Sequence, residues 1–170
     1  MGPELCRDKC CCFTGHRRIS PQENEQLRGA VGETVLRLCE EGYDTFIAGG
    51  AIGFDTLVAQ EVLKLRESHS RDIRLLLALP CLDQDRLWSD IQRRQYDEIR
   101  KRADIVVYTG KMYTKGCMLA RDRYMVDNSS CCVCFLREPG PRSGTAYTVR
   151  YAESRRLRVI NLAKGGQQTL

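Results

Sequence analysis

Six short apolar runs punctuate this chain: CCCFT, TFIA, IRLLLALP, DIVVYT, CCVCFL and RVINL, with a stretch of helical periodicity after each of the first five. Near-continuous apolar runs of this length suit strands buried on both faces, and helices between them are the crossovers that parallel strands require. The expected fold is therefore α/β and Rossmann-like, with a mostly parallel sheet of about six strands and helices on both faces. At 170 residues and 42% hydrophobic content, the chain is expected to form one domain over residues 1–170, with a core of about 10–162 and loose ends.

The helices are unevenly marked. Ser20, Pro21 and Glu23 read as N-cap, first position and capping box of a helix carrying Leu27, Val31, Val35 and Leu38 on one face, with Gly42 beyond its end. A second helix is expected from Thr56 with Val58, Val62 and Leu65, and a third from Asp83 with Leu87, Ile91 and Ile99.

Parallel strands place every strand-to-helix loop at the carboxyl edge of the sheet, where ligands bind at the switch in strand order. Five loops are expected to gather there: Thr14-Gly15-His16-Arg17-Arg18, residues 49–55, Pro80-Cys81, Thr109-Gly110 and Arg142-Ser143-Gly144-Thr145. The second, GGAIGFD, reads either as a tight turn or as part of an anion-binding shelf. There Gly49, Gly50, Ala51 and Gly53 would bring backbone N–H groups to a ligand at a helix N-terminus. Its spacing is neither the dinucleotide fingerprint nor a P-loop. Gly beside hydroxyls or cations in three of the loops suits phosphate, with Arg17 and Arg142 as charge partners.

Single residues keep alternative readings. Arg121 shares a helix face with Met118 and Met125, so it needs an anion: Asp127, another carboxylate, or a ligand phosphate. Asp55 reads as an N-cap or, because a carboxylate repels phosphate, as an acceptor of sugar hydroxyls. His16 would donate to ligand or order its own turn, and Trp88 would pack or stack on a base.

Other classes fit less well. The net charge of +5 with Arg-rich runs at residues 93–102 and 155–158 reads as solvated helix faces, which makes nucleic acid the lesser alternative. The ten cysteines form no paired C-x-x-C set and sit largely in apolar runs, so no metal is expected and a reducing, cytoplasmic setting is. No run has the length of a membrane span, and MGPELCRDK lacks the apolar core of a secretory signal.

FTGHR, GGAIGFD, LPC followed by Gln84 and Trp88, MLARDRYMVDNS and SGTAYT together resemble the YpsA family. That family belongs to the SLOG superfamily, with the DprA-type DNA-processing proteins and the Lonely-guy phosphoribohydrolases. The resemblance covers about residues 10–162 and implies a Rossmann-like sheet binding a nucleotide or ADP-ribose-like ligand at its carboxyl edge; relatives in the superfamily commonly form homodimers. Phosphoribohydrolases carry M-x-x-R-K-x-x-M and P-G-G-x-G-T-x-x-E. Here Met118, Arg121 and Met125 match, but Asp122 replaces the Lys and Thr148 the Glu. N-glycoside hydrolysis needs a carboxylate, so the resemblance implies binding without cleavage unless Asp55 or Asp127 supplies one beside Arg121.

Overall fold

The computed structural model describes residues 4–69, 72–137, 143–164 and 167–169. Six parallel strands, β1 (Cys10–Gly15), β2 (Thr45–Ala48), β3 (Arg74–Leu79), β4 (Ile105–Tyr108), β5 (Cys131–Phe135) and β6 (Arg158–Asn161), coincide with the six apolar runs. They alternate with α1 (Pro21–Glu40), α2 (Phe54–Ser68), α3 (Asp90–Arg102), α4 (Cys117–Asp127) and α5 (Gly144–Ser154). A seventh strand, β7 (Gln167–Thr169), pairs antiparallel with β6 in a stretch whose sequence reads as a loose end. The order across the sheet is β4-β3-β2-β1-β5-β6-β7.

Alternation along the strands divides the core in two. Phe13, Phe46, Leu75, Leu77 and Val133 face α1 and α2, together with Tyr96 and Ile99 of α3. Cys12, Ile47, Leu76, Ala78, Cys132 and Cys134 face Met125 and Val126 of α4 and Val149 and Ala152 of α5. The paired strands set Cys11 opposite Cys131 and Cys12 opposite Cys132, so the cysteines act there as small buried side chains between β1 and β5. Among the described residues no His, Cys, Asp or Glu group is placed to hold a metal. None of the described helices is long and apolar enough to cross a membrane.

α1 starts where its signals predict. Ser20 Oγ accepts from the Glu23 N–H at 3.2 Å and the Glu23 carboxylate accepts from the Ser20 N–H at 2.9 Å, completing the capping box. Leu27, Val31, Val35 and Leu38 are all buried, together worth roughly 6–12 kcal/mol of transfer free energy as an upper figure.

α3 departs from the sequence reading. It begins at Asp90, with Ser89 and Gln92 forming a second capping box, while residues 82–87 make turns. Asp83 instead accepts from the Tyr113 N–H at 3.0 Å, tying two loops together. Leu87 and Ile91 are consequently 85% and 64% exposed, and only Ile99 of the expected stripe is buried. Trp88 lies before the helix, packed edge-on against Tyr96 at 5.3 Å.

Several residues of the Arg-rich runs are ion-paired on the surface: Arg100 with Asp97, Arg102 with Glu67 and Glu98, Arg155 with Asp127, and Arg158 with Glu41. Exposed pairs of this kind add little stability. Removing the first cap should cost more: Ser20→Ala is expected to lower stability by about 1 kcal/mol, read in urea as a lower midpoint at unchanged slope.

Candidate functional site

Strand β1 lies between β2 and β5, so the chain leaves it toward one side of the sheet for β2 and returns on the other for β5. Loops that part around such a strand leave a crevice at the carboxyl edge. A cavity of about 260 Å³ occupies it, lined by Phe13 to Arg17, by Ala51 and Asp55, by Met118, Leu119, Arg121 and Asp122 of α4, and by Ser143, Gly144 and Thr145. The β3 and β4 loops contribute nothing to this lining. Three of the five expected loops therefore converge, and α4 supplies the remaining wall.

The glycines of GGAIGFD sit behind the cavity. The Gly49 carbonyl accepts from Arg121 Nη1, and a Cβ at Gly49 would stand 2.6 Å from that nitrogen and 2.8 Å from Asp55 Oδ2. Gly50 has φ +69° and its carbonyl accepts from Gln84 Nε2 at 3.3 Å. Gly53 has φ +82° and packs so closely on the Arg17 carbonyl that any Cβ would collide with it. The loop is built for close packing, and of its small residues only Ala51 reaches the cavity.

α2 begins at Phe54, two residues earlier than expected, so Asp55 falls in its first turn and Gly53 takes the cap position. Asp55 Oδ2 accepts from the Ala51 N–H at 3.2 Å, while Oδ1 has no donor among the described residues. Burial pushes the Asp55 carboxyl up to about 6; the nearby Arg121 charge opposes this and the Asp122 charge adds to it.

Arg121 is 5% exposed and its hydrogen bonds are made within the protein. Nε donates to Asp122 Oδ1 at 2.6 Å, Nη1 to the Gly49 carbonyl, and Nη2 to the Met118 sulfur at 3.9 Å. Asp122 Oδ2 accepts from Thr148 Oγ1 at 3.0 Å. The anion beside Arg121 is thus its sequence neighbour. Asp127 lies elsewhere, accepting from Tyr151 at 2.9 Å and pairing with Arg155 at 3.2 Å on the exposed side of α4. Sequence reasoning passed over Asp122 as a lining residue, although its place four residues after Met118 puts both on one helix face.

His16 orders its turn and borders the cavity. Its Nε2 accepts from the Arg137 N–H at 3.1 Å, which leaves the proton on Nδ1, and its ring meets Phe135 edge-on. Burial, and then the Arg137 charge, lower its pKa, so the ring is neutral at pH 7. Arg17 is exposed at the cavity mouth with no carboxylate paired to it among the described residues. Ser143 caps α5 by accepting from the Ala146 N–H at 3.3 Å, which leaves the N–H groups of Gly144 and Thr145 at the cavity. Arg142 lies outside the described residues.

A native carboxyl that ionises near 6 instead of near 3.8 holds a proton that the unfolded chain has lost. Its contribution to stability is full below about pH 3.8 and declines as pH rises through 6. Asp55→Asn keeps an acceptor for the Ala51 N–H and removes this decline. The variant's stability relative to wild type should rise between pH 4 and pH 7 by on the order of 2–3 kcal/mol, measured by urea unfolding at both values.

Comparison with known proteins agrees with this architecture. A family model, YpsA, described as the YspA SLOG family, matches residues 13–162. The chain is 29% identical over 123 residues to the UPF0398 protein BH1768 of Halalkalibacterium halodurans, covering 71% of this chain and 65% of that protein. It is 27% identical over 141 residues to the SPbeta prophage-derived protein YoqJ of Bacillus subtilis, covering 76% and 79%. With the UPF0398 protein YpsA of Bacillus subtilis the identity is 21% over 157 residues, covering 87% and 86%. In fold it is similar to DNA processing protein A of Streptococcus pneumoniae, with a TM-score of 0.63 at 18% identity over 89% of this chain and 49% of that one. The corresponding protein of Helicobacter pylori, whose structure is described for its single-stranded DNA binding mode, gives 0.60 at 19% identity over 88% and 63%. With the family model matching residues 13–162 of the 170 and the sheet Rossmann-like, this chain belongs to the YpsA family of SLOG proteins.

Proposed function

We propose that this chain binds a phosphorylated, nucleotide-derived small molecule in the cavity at the carboxyl edge of its sheet. One observation carries the reading. Thr14 and Thr145 are each 8% exposed, line the same cavity from opposite sides of the switch point, and offer hydroxyls with no partner among the described residues. Hydroxyls that stay accessible on otherwise buried side chains are free to hydrogen-bond what enters the cavity they line, so two of them there suit a polar ligand.

Beside Thr145 the first turn of α5 presents N–H groups and the positive end of the helix dipole, and Arg17 stands at the mouth. Phosphate is assigned to this corner. Arg121, already matched by Asp122, positions the wall and is not assigned to phosphate. An adjoining hollow of about 420 Å³ shares Arg17 and Met118 with the cavity and is walled by Ile52, Leu87, Trp88 and Tyr113. A planar base fits there, with the sugar and phosphate in the smaller cavity.

Differential scanning fluorimetry against AMP, ADP-ribose, NAD and cyclic AMP tests this. At about 100 times Kd one of them should stabilise the fold by about 2.7 kcal/mol, raising Tm by several degrees. Thr145→Val should weaken that ligand about 10-fold, and a flat response across the panel overturns the reading.

A second reading, hydrolysis of an N-glycosidic bond, is favoured by one finding. Thr148 carries no carboxylate, but its hydroxyl holds one, that of Asp122, in the cavity with Asp55. Chromatography of AMP after incubation should then show free adenine, with none from Asp55→Asn; intact AMP above its saturating concentration rules hydrolysis out.

A further inference from the structure

We infer that Asp122 and Asp55 together make the cavity select ribose over 2-deoxyribose, so that the ligand is of the RNA type. The inference rests on the nucleotide-binding reading above and deepens it by naming the sugar.

The Asp122 carboxylate is held at both oxygens. Arg121 Nε donates to Oδ1 at 2.6 Å and Thr148 Oγ1 to Oδ2 at 3.0 Å, which sets the plane of the group and leaves each oxygen with a free lone-pair direction. Its side chain is 17% exposed and lines the cavity. Asp55, 7% exposed, is anchored at Oδ2 by the Ala51 N–H and lines the same cavity with Oδ1 free of any donor among the described residues. Two oriented acceptors bordering one small space call for two donors from the ligand.

Phosphate oxygens are acceptors and would be repelled by both groups. The vicinal hydroxyls of a ribose are two donors on adjacent carbons, separated from the phosphate by the width of the ring. The unpartnered hydroxyls of Thr14 and Thr145, on side chains that are otherwise buried and line the same cavity, provide an independent sign of a polar ligand. Removing one hydroxyl from the sugar leaves a largely buried carboxylate without its donor, and a site built around a hydroxyl discriminates strongly against the analogue lacking it.

Thr148 is a positioning residue. It reaches the sugar only through Asp122, because its hydroxyl lies between Asp122 Oδ2 and the Gly144 carbonyl, each at 3.0 Å.

Isothermal titration of AMP and of 2′-deoxy-AMP into the wild-type chain and into Asp122→Asn and Thr148→Val tests the inference, with circular dichroism confirming the fold of each variant. Wild type should bind AMP about 10- to 100-fold more tightly than its deoxy counterpart, as expected for loss of a hydrogen bond to a charged group. Asp122→Asn should lose most of that preference by weakening AMP. Thr148→Val should lose part of it by weakening AMP more than 2′-deoxy-AMP, and this variant decides the matter if Asp122→Asn does not fold.

Equal affinities of the wild type for the two nucleotides, or tighter binding of the deoxy form, overturn the inference and leave the nucleotide-binding reading standing. A preference that survives in both variants overturns the assignment to Asp122. Binding of neither nucleotide, with no stabilisation by ADP-ribose or NAD, overturns both readings together.

Discussion

Because the chain runs on from β1 to β2 on one side of the sheet and from β5 to β6 on the other, the loops after β1 and β5 part at the carboxyl edge, and the rest of the site follows from that geometry. Thr14 reaches the crevice as the strand ends, Ala51 enters from the β2 side, and Thr145 enters from the first turn of α5. Residues more than a hundred positions apart are brought to one space of about 260 Å³. His16 joins the two sides by accepting from the Arg137 backbone, which bridges the loop after β1 to the end of β5.

The electrostatics of the crevice are set by one buried cation. Arg121 gives its hydrogen bonds to Asp122, the Gly49 carbonyl and the Met118 sulfur, fastening α4 to the loop after β2. A buried guanidinium without such partners would be strongly destabilising, and Gly49 has no Cβ because the space is filled by Arg121 and Asp55. Arg121 offsets only part of the local negative charge. Asp55 and Asp122 both border the cavity, and their mutual repulsion adds to the effect of burial on Asp55. The crevice thus carries two carboxylates, Asp55 of α2 and Asp122 of α4, together with the first turn of α5.

Where the structure departs from one of the expected readings, the cause is specific. Leu87 and Ile91 fit a helical stripe, but the Ser89–Gln92 capping box starts the helix later, and Asp83 is drawn to the backbone of Tyr113, thirty residues away. GGAIGFD looks like a ligand loop because glycine allows close approach; in the fold the close approach is to Arg121, Leu79 and the Arg17 carbonyl. Asp127 and Asp122 stand five residues apart on α4, and only packing against α5 shows that Asp122 meets Thr148 while Asp127 meets Arg155 on the outside.

Local chemistry along the chain determined the six parallel strands, the start of α1 at Ser20 and the α/β class, because apolar runs, caps and periodicity act over a few residues and are written in order. The loops that carry Thr14, Ala51 and Thr145 were legible for the same reason. Tertiary structure alone decided that α4 walls the cavity, that Arg121 is matched by its own neighbour, and that Asp55 and Asp122 share one space. Those outcomes depend on distances between elements remote in sequence, which no short-range signal encodes.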